Sequence, residues 1–446
     1  MKLQKITLLL ICLFSSVSIL AQTPVITYYD SLHVNIKETY SIIGNDKDRI
    51  DGAFVQYYIG GGKQVIGNFK DGKKIGTFEE FYPNGQIMRK LFFENNVKNG
   101  EILVWNKEGK LLQKGQYKND TLTGKFVIYY DTEKPKRESN LVKGVPEGAV
   151  TDFYPNGNIK EIKNHKDGRP HGLLQSYHEN EQLRVEANYL EGSIDGNRKI
   201  YYQNGQLKSI AHYTKGEKEG VFEHYSYNGQ LRLKGRNKII MHGTKSFSVL
   251  DGENVAYYDN GALKHKYMYY DGYRNGENKS YHLNGKIKTI TTYSNNENNI
   301  KEVEYYENGK LKNKTTFKDG KPVDTWEYFH NNGKIHIRES YQAGRRHGIR
   351  LTFDEEGNKT LEEPYKNNLI IGIVKEFYPS GKLKSETNYH IGKKSGEYKS
   401  YHENGVIAEQ GKFINNQKHG IWQIFDATGK LVKEETYKRG KLEKKE

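Results

Sequence analysis

The segment Tyr82-Pro83-Asn84-Gly85 decides the fold, because variants of it recur at a fixed spacing along the chain. Steps of 24 residues from Gly61 to Gly229 give eight equivalent positions, and a single step of 32 residues starts a second run of eight at Gly261. Fourteen of these sixteen positions hold glycine, which predicts a repeat protein. We predict that the following glycines are structural turn residues: Gly85, Gly109, Gly157, Gly205, Gly229, Gly261, Gly285, Gly309, Gly333, Gly357, Gly381, Gly405 and Gly429.

The residues around the turn glycine favour a β-hairpin. All sixteen residues four positions before it are aromatic, and thirteen of the sixteen residues two positions after it are Leu or Ile. Pro83 and Asn84 suit the centre of a type I turn, and Gly85 suits the left-handed residue that follows such a turn in a hairpin. A second turn, such as Asp71-Gly72, returns the chain to the next hairpin.

We therefore expect an all-β protein, an elongated antiparallel β-hairpin repeat array of about 16 repeats and about 32 strands in a single-layer twisted meander. The aromatic columns are expected to stack in a continuous buried stripe, since one hairpin cannot bury them alone.

Composition supports a repeat protein with a thin core. The chain has 446 residues, of which 35% are hydrophobic, and a formal net charge of +15. Ordinary globular domains are about 45–50% apolar. However, 35 Tyr and 17 Phe exclude a disordered chain. The only cysteine is Cys12, so disulfides and zinc–thiolate sites are not expected beyond it.

The N-terminus has the pattern of a secretory signal peptide. Lys2 and Lys5 precede a short apolar run, and Ala21 marks a possible cleavage point. We expect export to the periplasm, the outer surface or the extracellular space, with no transmembrane segment in the mature chain. The predicted organisation is a signal peptide (1–21), an N-terminal capping segment (22–51), a first run of hairpin repeats (52–235), an insertion (236–251) and a second run of hairpin repeats (252–446).

The insertion has two interpretations at this point. It is either a binding loop or hinge, or a lengthened strand pair tolerated by the array.

Residues with catalytic potential follow the repeat instead of converging. Four histidines share the column that is otherwise mostly Tyr, three residues before the turn position, namely His178, His282, His330 and His402. A catalytic site needs groups of different roles in one place. Asp46, Asp48 and Asp51 lack calcium-loop spacing, and Gly60-Gly61-Gly62-Lys63 lacks the Ser or Thr of a phosphate loop. We expect neither an enzyme nor a cofactor or metal site.

A column of cations lies three residues after the turn position. If the strand is regular, its side chains face away from the apolar column beside it, and successive copies stand about 9–10 Å apart. This basic column could grip a polyanion, or it could be a solvated face that resists edge pairing. It is interrupted by His336 and Thr360, and its members are Lys160, Arg184, Lys208, Arg232, Lys264, Lys288, Lys312 and Lys384.

The pattern Tyr/Phe-x-x-Gly-x-x-x-Gly-x-x-x-x-aromatic, followed by x-x-Asn-Gly-x-Leu, resembles the bacterial MORN repeat variant over roughly residues 52–440. The resemblance implies β-hairpin arrays that serve as interaction surfaces. Some bacterial members are labelled antitoxin-like, and eukaryotic relatives, whose repeat differs slightly in period, have been linked to membrane or phospholipid attachment.

The favoured function is an exported, non-enzymatic interaction or scaffold protein with a protein partner. The alternatives are a binder of cell-surface glycan or anionic lipid through Tyr stripes and the basic column, and an antitoxin-like neutralising module. Nucleic acid is not expected as a partner, because export separates the protein from it.

If the basic column binds a polyanion, retention on an anionic polymer is expected to fall as salt rises, because salt screens exposed charges. Replacing Lys208, Arg232, Lys264 and Lys288 together by Gln is expected to reduce retention again. Affinity chromatography in a salt gradient measures both effects. Retention that is unchanged in the quadruple variant would contradict polyanion binding by this column.

Overall fold

A computed structural model describes residues 21–44 and 46–443. The predicted signal peptide lies outside these residues except for Ala21. The described residues form 41 strands and no helix. Contacts between residues divide the chain into two units, one reaching Gly196 and including Gln203–Gly205, the other comprising Asn197–Tyr202 and the chain from Gln206 onward.

The strands of the first unit are β1 (Gln22–Tyr28), β2 (Ile36–Ile43), β3 (Gly52–Tyr57), β4 (Lys63–Lys70), β5 (Lys73–Phe81), β6 (Ile87–Glu94), β7 (Val97–Trp105), β8 (Leu111–Lys118), β9 (Thr121–Tyr129), β10 (Pro135–Val142), β11 (Val145–Pro146), β12 (Gly148–Phe153), β13 (Ile159–Lys166), β14 (Arg169–Tyr177) and β15 (Leu183–Leu190). The next strand, β16 (Ser193–Tyr201), has residues in both units.

The strands of the second unit are β17 (Leu207–Thr214), β18 (Glu217–Tyr225), β19 (Leu231–His242), β20 (Lys245–Leu250), β21 (Gly252–Tyr257), β22 (Leu263–Tyr270), β23 (Tyr273–Arg274), β24 (Gly276–Tyr281), β25 (Ile287–Ser294), β26 (Asn299–Tyr305), β27 (Leu311–Lys318), β28 (Lys321–Pro322), β29 (Asp324–Phe329), β30 (Ile335–Gln342), β31 (Arg345–Arg346), β32 (Gly348–Phe353), β33 (Lys359–Lys366), β34 (Leu369–Ile370), β35 (Gly372–Phe377), β36 (Leu383–His390), β37 (Lys393–Tyr401), β38 (Ile407–Ile414), β39 (Gln417–Phe425), β40 (Leu431–Lys438) and β41 (Lys441–Leu442).

The predicted all-β hairpin array is confirmed. Within each unit, strands pair antiparallel with their neighbours in sequence, as β5 does with β6 and β18 does with β19. Thirty-two strands form the sixteen hairpins. The remaining strands are β1, β2, β20 and six two-residue strands next to second turns.

The first turn of each hairpin has the predicted geometry. The Gly85 N–H donates to the Tyr82 carbonyl at 2.9 Å, and the Tyr82 N–H donates to the Gln86 carbonyl at 2.8 Å. The thirteen predicted turn glycines have φ between 80° and 102°. Glu133 and Glu181, which replace glycine, also adopt positive φ, at 61° and 66°. The repeat therefore imposes the left-handed conformation even where glycine is missing.

A β-bulge follows every first turn whose pairing is described. In β5 and β6, Phe81 pairs with Ile87 and Glu80 pairs with Arg89, so that Met88 has no partner opposite it. The bulged residue is three positions after the turn glycine, in the column that carries the basic residues elsewhere. The alternation of side chains assumed for a regular strand is therefore interrupted at that column.

The most buried column is not one that the sequence predicted. It lies seven residues before the turn glycine and includes Phe78 (4% exposed) in the first unit and Trp422 (1% exposed) in the second. In the first unit Phe78 packs with Leu91, Phe93 and Ile102. The aromatic column eight residues after the turn joins this stripe, since the Phe78 and Phe93 rings are 5.2 Å apart. The aromatic column four residues before the turn was expected in the same stripe, but it lies on the other face of the sheet: Tyr129 lines an opening together with Val127, whereas Phe126 covers Gly115 in the stripe.

Small residues opposite this column make room for the large rings. A Cβ at Gly67 would lie 2.3 Å from Cε1 of Phe78, and a Cβ at Gly411 would lie 2.3 Å from Cδ2 of Trp422. Both distances are far below van der Waals contact. Each glycine is therefore fixed by the aromatic ring that covers it from the following hairpin.

The two irregular segments also form strands. In the N-terminal capping segment, β1 pairs with β2, and β2 pairs with β3. The insertion extends β19 and pairs it with β20 in an additional hairpin that turns at Gly243. The insertion therefore forms a lengthened strand pair, and a binding role for its turn stays a prediction.

Gly411→Ala is expected to destabilise the second unit by about 1–3 kcal/mol, the usual effect of overpacking a core. The added methyl group would force the Trp422 ring out of its place. Thermal unfolding followed by circular dichroism measures the effect as a lower melting temperature.

Gly62→Ala is the matched control, because the nearest atom to a Cβ at Gly62 is 4.0 Å away. An equal fall in melting temperature for both variants would contradict the role assigned to Gly411.

Candidate binding surfaces

Neighbouring hairpins are joined at their first turns by a side-chain hydrogen bond. The residue three positions before the turn glycine donates to the main-chain carbonyl found 23 residues later. The donor is a Tyr hydroxyl or a His Nε2, at 2.7–3.0 Å in all cases. The tyrosine donors are Tyr58, Tyr82, Tyr130, Tyr154, Tyr202, Tyr258, Tyr306 and Tyr378, and the histidine donors are His282, His330 and His402.

This bond explains why His replaces Tyr in that column. A carbonyl oxygen only accepts, so each of these imidazoles carries its proton on Nε2. A tyrosine hydroxyl and a histidine Nε2 both reach the carbonyl at the equivalent position of the next hairpin. The role of these histidines is therefore structural. Four other members of the column are too short to reach it, namely Asn106, Ser226, Asp354 and Asp426; they bond instead within their own turns.

The basic column lies beside these rings. Three of its lysines place Nζ within 5.4–5.8 Å of a tyrosine ring centroid in their own turn: Lys160 over Tyr154, Lys208 over Tyr202, and Lys264 over Tyr258. Where the pairing is described, its members are the bulged residues after the turn. The column is therefore located along the turn edge of each unit.

Two members of the basic column already pair with a carboxylate of this chain. Lys312 contacts Glu304, with Nζ 2.9 Å from Oε1, and Arg232 forms an ion pair with Asp259. Lys160, Lys208, Lys264, Lys288 and Lys384 are exposed, whereas Arg184, Arg232 and Lys312 are half-buried. Binding of a polyanion by the column stays a prediction.

His336 is the histidine that interrupts the basic column. Its ring centroid is 4.2 Å from that of His330. Burial lowers the pKa of His336, and the charges of His330 and Arg350 lower it further. A lysine at this position would add a full charge beside His330, whereas His336 is held toward its neutral form.

A groove crosses one face of the sheet in the first unit. It consists of two openings of about 560 and 530 Å³ that share Glu101 and Gln116. Phe92, which is 38% exposed, and Leu103 supply apolar surface in the first opening. Val127 and Tyr129 line the second opening.

Most charges along this groove are paired, and the further lining glutamate, Glu94, accepts a hydrogen bond from Asn99. The lysine Nζ and glutamate Oε atoms are 2.8–3.0 Å apart in three ion pairs: Lys90–Glu79, Lys114–Glu101 and Lys125–Glu138. These three pairs add no net charge. An apolar floor between paired charges suits a polypeptide better than a polyanion, because exposed pairs of both signs offer a polyanion no net attraction.

The second unit has a buried polar cluster within its stripe. Glu339 is 4% exposed and accepts a hydrogen bond from the Tyr341 hydroxyl at 2.8 Å. Its carboxylate also contacts Arg346, with Nε 2.9 Å from Oε2, while Arg350 pairs with Glu363. Burial, followed by the bond to Glu339, raises the pKa of Tyr341. The two arginines balance the two glutamates, so this cluster holds the hairpins together without a free charge.

Within residues 21–44 and 46–443, no group of three or more His, Cys, Asp or Glu side chains is placed to hold a metal ion. Asp46 accepts the main-chain N–H of Asp48 at 3.0 Å, as expected of a polar turn. The same described residues include no helix of the length and apolarity that a membrane crossing would require. The absence of enzymatic activity stays a prediction.

The chain is similar to one known protein family over more than half of its residues. The family is described as the MORN repeat variant, and the matched residues are 74–95, 98–119, 146–167, 170–191, 194–215, 274–295, 299–319, 346–367, 371–390, 394–415 and 418–439. The hairpins between these matches, such as the one turning at Glu133, have the same geometry. No curated protein matches the chain.

Several solved structures are remotely similar to the chain. The Photorhabdus luminescens Tc holotoxin pore matches 90% of this chain and 26% of its own, at 12% identity and a TM-score of 0.16. A crystal structure of TcdB2-TccC3 matches with 92% and 25% coverage, 12% identity and a TM-score of 0.15. The chain thus spans about a quarter of these proteins. A eukaryotic initiation factor matches with 92% and 87% coverage, 12% identity and a TM-score of 0.13. TM-scores this low do not indicate a shared fold.

Acidification from pH 8 to pH 5.5 is expected to lower the melting temperature of the wild-type protein more than that of His336→Gln. The folded state holds the pKa of His336 below its value in the unfolded chain, about 6.5, so the unfolded state takes up protons first as pH falls. The stability contributed by neutral His336 is present above that pH and is lost below it. Thermal unfolding at both pH values measures the difference, and equal falls in the two proteins would contradict the assignment.

Proposed function

Because the chain belongs to the MORN repeat variant family, a β-hairpin repeat array, we propose that it is an exported, non-enzymatic scaffold that presents its sheet surface to a protein partner. Export rests on the signal-peptide pattern of residues 1–21. A binding role is supported by the repetition of the same hairpin along the chain, since repeat arrays offer extended surfaces to partners.

The observation that carries the proposal is the groove of the first unit. Phe92 and Leu103 line it with apolar surface, whereas the neighbouring Leu91 and Phe93 pack with Phe78 in the buried stripe. Interfaces between proteins combine such an apolar centre with a polar rim. The paired charges of the groove would supply that rim and select a partner whose charges match in register.

A second candidate function, binding of a cell-surface glycan or anionic lipid, is supported by a different observation. Three exposed lysines of the basic column, Lys160, Lys208 and Lys264, lie over tyrosine rings at the turn edge, and no member of the column lines the groove. The two functions use different surfaces and are therefore separable by substitution.

Phe92→Asp is expected to reduce partner binding roughly 10-fold or more, because a buried interface aromatic commonly contributes over 1 kcal/mol. A photo-crosslinking residue at Gln116 in the producing cell is expected to capture one protein species, identified by mass spectrometry. The measurement is the yield of that adduct in the Phe92→Asp protein relative to the protein with Phe92.

Two controls make the experiment specific. Met268→Asp changes a residue at the equivalent repeat position of the second unit, 40% exposed, and is expected to leave the yield unchanged. A crosslinker at Gln113 projects from the opposite face of β8 and is expected to capture nothing. The same adduct from Gln113, or full yield from Phe92→Asp, would overturn the groove as the binding surface.

A further inference from the structure

An open cavity of about 490 Å³ lies at the turn edge of the second unit. Arg232 and Lys264 from the basic column line it, together with Tyr257, Tyr258, Asp259 and Leu283. It is separate from the groove, whose lining belongs entirely to the first unit.

The cavity lies where the column three residues before the turn glycine holds a serine instead of a tyrosine or histidine. In the preceding hairpin, the Tyr202 ring lies under Lys208, 5.2 Å from the Tyr227 ring, and its hydroxyl donates to the Tyr225 carbonyl. The next residue in this column is Ser226. Its hydroxyl bonds to Gln230 and Asn228 of its own turn and cannot span the distance that a tyrosine covers.

The residues that would surround a ring at position 226 are the ones that line the cavity. Arg232 corresponds to Lys208, Asp259 corresponds to Tyr227, and Tyr257 carries the carbonyl that corresponds to that of Tyr225. The short Ser226 side chain therefore leaves open the space that an aromatic ring fills in most other hairpins.

The lining combines two cations with apolar walls and a hydrogen-bond acceptor. Arg232 is half-buried; its Nη1 is buried and has no hydrogen-bond partner, and its Nη2 pairs with Asp259. Its ion-pair partner Asp259 has a side chain that is 95% exposed, so a ligand carboxylate can compete for the guanidinium. Lys264 lies over the Tyr258 ring, and Leu283 is 62% exposed beside them.

We propose that this cavity binds one hexuronic acid unit of an acidic polysaccharide. The carboxylate would replace Asp259 at Nη2 of Arg232 and pair with Lys264, since hydrogen bonds between ionised groups are the strong ones. The C–H face of the sugar ring would pack on Tyr258 and Leu283. A sugar hydroxyl would donate to the Tyr257 carbonyl, in place of the tyrosine hydroxyl that other hairpins supply.

A hydroxyl donor and an apolar ring face distinguish the proposed ligand from a simple anion. Inorganic phosphate can bind the two cations, but it offers little apolar surface to Tyr258 and Leu283. A neutral sugar can use those walls but lacks the charge. Only a ligand that has a carboxylate, hydroxyl donors and an apolar ring face satisfies all parts of the cavity.

The test is calorimetric titration of the full chain, at low and at physiological salt, with four-unit oligomers of galacturonate, mannuronate and glucuronate. At least one oligomer is expected to bind at one site. Arg232→Gln and Lys264→Gln are each expected to weaken it roughly 10-fold, the effect of removing one hydrogen bond to a charged group. No binding by any of the three oligomers would overturn the proposal.

Ser226→Tyr is the decisive variant, because it places in the cavity the ring that other hairpins have. It is expected to abolish binding without lowering the melting temperature, since the new hydroxyl can bond to the Tyr257 carbonyl as Tyr202 does to Tyr225. Lys208→Gln is the matched control, because its turn already contains Tyr202, and it is expected to leave affinity unchanged. Undiminished binding by Ser226→Tyr would overturn the assignment of this cavity.

Two other outcomes also decide the question. Equal loss of affinity in Lys208→Gln would show a diffuse polyanion surface instead of one site. Equal affinity for inorganic phosphate, or for a neutral four-unit glucose oligomer, would show a nonspecific pocket. Protein capture through the Phe92 groove is unaffected by any of these results, so the two proposals fail independently.

Discussion

Most hairpins are held to the next by a hydrogen bond from a tyrosine or histidine ring to a main-chain carbonyl, and the regularity of the array depends on it. The bond connects residues 23 positions apart, as from the Tyr154 hydroxyl to the Tyr177 oxygen. It requires the same turn, the same bulge and the same strand length in both hairpins. A hairpin of different length at this edge would place the carbonyl out of reach, so the bond itself favours a constant period.

Much of the fold could be predicted from the sequence because the turn chemistry is local. Pro83, Asn84 and Gly85 specify their turn with no help from distant residues, and the sixteen-fold repetition identified the hairpins. A G1 bulge at the turn glycine follows from the same turn residues, whereas the further bulge three residues later, at Met88 for example, could not be foreseen by counting alternate residues, because it depends on how two strands pair. The most buried column was missed for a related reason: it contains Phe78 and Trp422, but also Asn278 and Arg350, so no single residue type marks it.

The glycines opposite that column would have been a usable signal. Gly67 and Gly411 are each followed, eleven residues later, by a large aromatic residue, and this spacing is visible in the sequence. The candidate sites were harder to predict. The groove depends on which side chains share a face, and the cavity beside Arg232 depends on Ser226, a residue whose importance appears only once the Tyr202 ring has been located. The basic column was predicted as a row of residues, whereas its contacts with rings and acids required coordinates.

The first and second turns differ in how far they tolerate longer connections between strands. At the second turns, β4 and β5 are joined by two residues, Asp71 and Gly72, whereas β25 and β26 are joined by four residues, Asn295–Asn298. At the same edge, β19 and β20 add a complete hairpin at Gly243, yet the turns on either side keep their geometry. Evolution and protein engineering can therefore lengthen the chain at this edge without shifting the phase of the repeats, so that new recognition loops can be grafted onto an unchanged scaffold.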